Sequence, residues 1–168
     1  ARIAAQYTAS KKARKCMGTK STAAPKRAVF ASPEEVEQAF YEALRLGDVM
    51  RVMHTWADDE ETVCIHPGGE RLTGTSAIQA SWQELLTSGP LHIHAHHPVV
   101  ITYGMTVIHI LIEEVQANTP RGNRELLFYA TNVYHKGRTG WHLVHHHSAP
   151  APSDVLLSEM HDIPNLLH

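Results

Sequence analysis

Apolar residues in the first third of the chain recur at helical spacing. Val36, Phe40 and Leu44, with Ala39 and Ala43 beside them, form one stripe. Ser32 is placed to cap that helix, Pro33 suits its first turn, and Glu35 completes a capping box. Gly47 ends it. Asp48 then caps a short second helix carrying Val49, Val52, Met53 and Trp56. The period changes at Thr62 to Ile65, a β-branched run predicted as a strand and closed by the Pro67-Gly68-Gly69 turn. From about Thr75 to Thr87, Ile78, Trp82, Leu85 and Leu86 fall on one face of a third helix, which Gly89-Pro90 stops.

Beyond Pro90 the pattern favours strands. Segments 91–102, 105–117, 124–136 and 141–148 are rich in Val, Ile, Thr, Tyr and Leu and are joined at hairpin-length turns. Helices first and a meander afterwards predict an α+β fold with three helices on one face of a curved antiparallel sheet. Met105 to Val115 and Glu125 to Val133 carry Val, Ile and Leu on both alternating sets, whereas three helices can cover only one face. A second copy is expected to cover the other, giving a homodimer through the outer sheet face.

Composition adjusts this picture at the ends. The 168 residues are 43% hydrophobic and 19% charged, which suits one domain with a proper core. Residues 1–30 hold eight bases and no acid, while the 7 remaining bases face all 17 acids, a formal charge of −10. Residues 1–31 therefore read as a basic, disordered tail, 32–150 as the domain, and 151–168, opening Ala-Pro-Ala-Pro, as a second tail. Basic runs without interleaved aromatics argue against nucleic acid as a partner. An organelle transit peptide would share that composition. No apolar run approaches the ~20 residues a membrane-spanning helix needs. Cys16 and Cys64 form no disulfide framework or zinc spacing, and with no apolar leader core a reducing cytoplasm is expected.

The segment from Trp56-Ala57-Asp58-Asp59 through Ile65-His66-Pro67-Gly68-Gly69 to Ser81-Trp82, answered by Ala130-Thr131-Asn132-Val133-Tyr134 and Trp141 to Ser148, resembles the SnoaL-like branch of the nuclear transport factor 2-like superfamily. The resemblance covers about residues 33 to 150. It implies a cone-shaped α+β barrel around a pocket for a small apolar ligand, on which isomerases, dehydratases and non-catalytic proteins are all built. Ketosteroid isomerases are similar over the Gly-Asp break and the strand ending in proline. Their general-base aspartate corresponds to His66, their oxyanion tyrosine to Phe40, and their second oxyanion donor to Asn132.

His66 can serve as a general acid/base at neutral pH, and Asn132 can donate to a developing enolate oxygen. Phe40 can donate nothing, which argues against steroid isomerisation. His66 has an equally good bland role, bonding its own turn. Trp56, Trp82 and Tyr129 are expected in the pocket wall with Phe40, Asp59, His145 and His147. His147 is favoured among the late histidines because the family ends in a similar His…Ser pattern. Each tryptophan could equally be core, and Asp58 and Asp59 could equally be loop acids. Fourteen histidines, with His92, His94 and His96 alternating on one strand and His145 and His147 on another, raise the question of a metal. No Cys or Glu stands at a familiar ligand spacing, so no metal and no cofactor are expected. Two classes of function remain: a lyase- or isomerase-type enzyme, and a non-catalytic ligand-binding or dimerisation domain.

Overall fold

The computed structural model describes residues 29–119 and 122–152. The basic tail up to residue 28 and the amphipathic piece Val155 to Met160 lie outside the described residues. Helix α1 (Pro33–Leu46) starts where its capping box predicts. The Ser32 hydroxyl accepts from the Glu35 N–H, and the Glu35 carboxylate accepts from the Ala31 N–H at 2.7 Å. It ends at Gly47, whose φ of 67° is left-handed and suits a residue without a Cβ. Asp48 caps α2 (Val49–Thr55) by accepting from the Arg51 N–H. After β1 (Val63–Ile65) come β2 (Arg71–Thr73) and α3 (Thr75–Leu86). Four long strands follow: β3 (Ile93–Tyr103), β4 (Thr106–Thr119), β5 (Gly122–Gly137) and β6 (Gly140–Pro150).

These strands form one curved, unclosed sheet in the order β2-β1-β6-β5-β4-β3. The meander from β3 to β6 is antiparallel as expected, but the sheet as a whole is mixed. β1 pairs with β6 in parallel, Cys64 opposite His146 and Ile65 opposite His147. β2 was not expected: it is three residues long, and it forms because the Gly68-Gly69 turn folds the chain back on β1.

The three helices cover the inner face. Phe40, Leu44, Val52, Ile78 and Trp82 pack there against Leu111, Ala130, Tyr134 and Leu143. Phe40 is fully buried, and truncating such a side chain to alanine costs about 3–5 kcal/mol. Strand β4 turns Val107, His109, Leu111, Glu113 and Val115 inward, where they are buried, and Ile112 on the opposite face is buried as well. Ile110 points outward and is 40% exposed; its register neighbours Val99 and Thr131 share that face. In β6 the alternation breaks once. Tyr134 pairs with Leu143 but Val133 pairs with His145, leaving Val144 as an extra residue. This bulge reverses which residues of the final strand point inward.

Candidate functional site

The end of β1, the turn after it, α3 and the inner faces of β4 and β6 enclose a pocket of about 270 Å³. Its walls are Trp82, Leu72, Leu85, Leu91 and Ile93; its polar groups include His66, Ser81, His146, Glu113 and Ser148. His66 is aimed by the turn that follows it, because its carbonyl accepts the Gly69 N–H at 2.9 Å. A Cβ on Gly69 would stand 3.3 Å from that oxygen, so the tight return favours glycine. The His66 ring meets the Trp82 ring edge-on at 4.6 Å between centroids. Its Nε2 lies 2.7 Å from Ser81 Oγ and 3.8 Å from Cys64 Sγ.

Behind the pocket runs a buried chain of polar side chains. His146 Nδ1 lies 2.7 Å from Asn132 Oδ1, and Asn132 Nδ2 donates to the Tyr41 hydroxyl at 3.1 Å. Tyr41 donates to Glu113 Oε1 at 2.8 Å, and Ser148 donates to Glu113 Oε2 at 2.6 Å. All five residues are buried. A second network fastens α1 to the sheet: Glu37 Oε2 accepts from the Tyr134 hydroxyl and lies 2.8 Å from His109 Nδ1.

Burial dominates the electrostatics. Desolvation, with a smaller contribution from His146, lowers His66 to about 4. Desolvation, with His145 and His147 nearby, lowers His146 to about 3. Both rings are therefore neutral at pH 7. Desolvation pushes the Glu113 carboxyl up, against the opposing effect of its bonds from Ser148 and Tyr41. Among the described residues no three His, Cys, Asp or Glu are grouped to hold a metal, and no helix is long and apolar enough to cross a membrane.

Residues 34–152 match the SnoaL-like domain family, most of the chain. The chain belongs to that family. The SnoaL-like domain is similar to a Thiobacillus denitrificans protein assigned as a calcium/calmodulin-dependent protein kinase type II association domain. The two are 33% identical, with a TM-score of 0.66 over 74% of this chain and 99% of that one. It is also similar to a Streptomyces avermitilis protein of the NTF2-like family assigned as a dehydratase, at 25% identity and a TM-score of 0.63, over 70% of this chain and 92% of that one. The F-box protein SKIP8 of Arabidopsis thaliana is 28% identical over 134 residues, 79% of this chain and 53% of that protein. The chain thus spans about half the length of that relative.

The SnoaL-like pocket gathers only some of the residues expected in it. His66 and Trp82 line it. Phe40 stands behind, its ring 5.6 Å from Trp82 and 5.4 Å from His146. Asn132 is wholly buried and reaches the pocket indirectly, through His146 on one side and through Tyr41 and Glu113 on the other. His66 bonds Ser81 of α3 with its ring rather than the turn.

The others lie elsewhere. Trp56, expected nearest the cavity, follows α2 as its C-cap and bridges to Leu143 in the core, 1% exposed. Asp59 is an exposed turn residue accepting the Glu61 N–H. Tyr129 is 39% exposed on the outer sheet face. His145 and His147 also face outward, because the bulge at Val144 gives the inward positions to His146 and Ser148. Five polar residues of the site were not anticipated: Tyr41, Ser81, Glu113, His146 and Ser148. Glu113 alone left a usable signal, an acid in step with the inward apolar set of its strand.

Proposed function

We propose that this SnoaL-like domain binds a small, largely apolar compound in the pocket and that His66 exchanges a proton with it, in a lyase- or isomerase-type reaction beside a carbonyl. The observation that carries the reading is a neutral imidazole held against Ser81 at the edge of an apolar cavity. A histidine titrating at about 4 is neutral at pH 7 and so holds an imidazole lone pair for a proton, as a weaker base than an ordinary histidine. Trp82 and the leucines supply the apolar contact such a compound needs. Asn132 is a positioning residue in this scheme, since its amide is committed to Tyr41 and His146. The similarity to the S. avermitilis protein assigned as a dehydratase agrees with proton-transfer chemistry. The test is α-proton exchange into deuterated water for cyclohexanone and its β-hydroxy analogue, followed by NMR. Exchange should depend on the wild-type chain and vanish in His66→Ala, with the melting temperature within a few degrees. Equal exchange in the variant, or none with either compound, refutes the assignment.

A second reading, a non-catalytic domain for ligand binding and self-association, is supported by the outer sheet face. The row Ile65, His147, Thr131, Ile110 and Val99 runs across five strands with apolar side chains at three of its positions. Similarity to a kinase association domain points the same way. In this reading two copies pack sheet to sheet about a two-fold axis, and the pocket binds without turning over.

A further inference from the structure

With Glu113 accepting from both of its hydroxyl partners, the hydrogen-bond chain behind the pocket runs in one direction, and it ends at an atom with no hydrogen-bond partner among the described residues. Glu113 receives the hydroxyls of Tyr41 and Ser148, one on each oxygen. A phenol has one proton, so a Tyr41 that donates to Glu113 must accept from its other neighbour. That neighbour is the Asn132 amide nitrogen at 3.1 Å. With its NH₂ turned to Tyr41, Asn132 presents its oxygen to His146 Nδ1 at 2.7 Å, and only an N–H can satisfy that contact. The His146 proton therefore sits on Nδ1, and Nε2 carries a bare lone pair. Protonating Glu113 on Oε2 leaves this order intact, because Tyr41 still donates to Oε1, whereas a proton on Oε1 would reverse the chain and place the His146 proton on Nε2, an outcome the NMR measurement below distinguishes.

His146 lines the pocket, and Nε2 has no protein partner among the described residues. It is also absent from the polar atoms sealed without a partner, which are Trp56 Nε1, Trp82 Nε1 and His109 Nε2, so it is open to the cavity. We infer that His146 Nε2 is the ligand anchor of this pocket and accepts a hydrogen bond from the hydroxyl of a small neutral compound whose apolar body lies against Trp82. The inference rests on the reading of the pocket as a small-molecule site and adds the class of head group it takes.

Charge complements the geometry. The lining holds Glu70, Glu84 and Glu113 and no lysine or arginine, so nothing there compensates a carboxylate or phosphate. Positive charge deep in the pocket meets the same desolvation that keeps His66 and His146 neutral, beside a Glu113 itself pushed toward its uncharged form. A cavity that disfavours both signs suits an alcohol, enol or phenol. Asn132, Tyr41, Glu113 and Ser148 act through His146 by fixing its tautomer.

The full chain at pH 7 should be titrated with phenol, anisole, benzoate and benzylamine, following tryptophan fluorescence and calorimetry. Phenol should bind about tenfold tighter than anisole, the effect of one hydrogen bond, with benzoate and benzylamine weaker than either. In His146→Phe, phenol should fall to the level of anisole. Because that variant replaces a buried residue, long-range ¹H–¹⁵N NMR of the wild type provides a readout independent of it. The proton of His146 should be found on Nδ1 without any ligand. A proton on Nε2, or anisole or benzoate binding as tightly as phenol, overturns the inference while leaving the pocket reading standing. If none of the four binds, the pocket reading falls and takes the inference with it.

Discussion

Acid should unfold this domain through two buried histidines that resist charging in place. His146 titrates at about 3 and His66 at about 4 in the folded chain, against roughly 6.5 for an unperturbed histidine. Both folded values are depressed, so their stabilising contribution is whole above pH 6.5. It is lost as pH falls toward the folded values, because only the unfolded chain takes up the protons. The loss approaches about 1.4 kcal/mol per pH unit per group below the unfolded value, so from pH 6.5 to 4.5 each of the two histidines accounts for about 2 kcal/mol. Glu113 acts with the opposite sign. Its folded value is raised, so its contribution is whole at low pH and lost as pH rises, and acidification returns part of it. The net loss remains a large share of the ~5–15 kcal/mol that holds a domain together. Urea unfolding at pH 6.5 and 4.5, compared between wild type and His146→Gln, isolates one term from the background of fourteen histidines. The variant begins less stable but should lose about 2 kcal/mol less over that interval. Parallel losses would refute the claim that burial keeps His146 neutral.

Three further outcomes follow from the fold. Ile110→Glu places a charge in the middle of the outer face and should convert a dimer to a monomer by light scattering; an unchanged mass moves the interface elsewhere. Gly140→Ala should destabilise by more than about 1 kcal/mol in chemical denaturation, since Gly140 sits at φ 102° and a Cβ would come 2.7 Å from the Phe30 carbonyl oxygen. Cys64 is wholly buried and its thiol is pushed up by desolvation, so peptide mapping after alkylation should find it unlabelled until the chain is unfolded.

The parts of the molecule readable in advance are those encoded by near neighbours. The first two helices follow from Ser32, Asp48 and Gly47, whose effects are local, and the hairpins from short Gly-containing turns. The parallel pairing of β1 with β6 joins residues about eighty positions apart and leaves no local trace. The site suffered from the same limit. Tyr41 stands next to Phe40, yet only tertiary contact shows that its hydroxyl reaches Glu113, 72 residues away. The choice of His147 over His146 followed the family's His…Ser ending, which carries no information on which face a side chain takes, and a single extra residue opposite Val133 and Tyr134 gives the inward position to His146.

That bulge stands just before three consecutive histidines. A slip that paired Val144 with Val133 would exchange every inward side chain of β6 beyond the bulge for its outward neighbour. Here the exchange presents another imidazole to the cavity, opposite Asn132, while Ser148 would be displaced. The repeated residue thus works as insurance for ring chemistry and none for the hydroxyl beside Glu113. A register slip of this kind would be tolerated by the anchor and filtered by the acid, so the serine rather than any histidine would betray it among descendants of this chain.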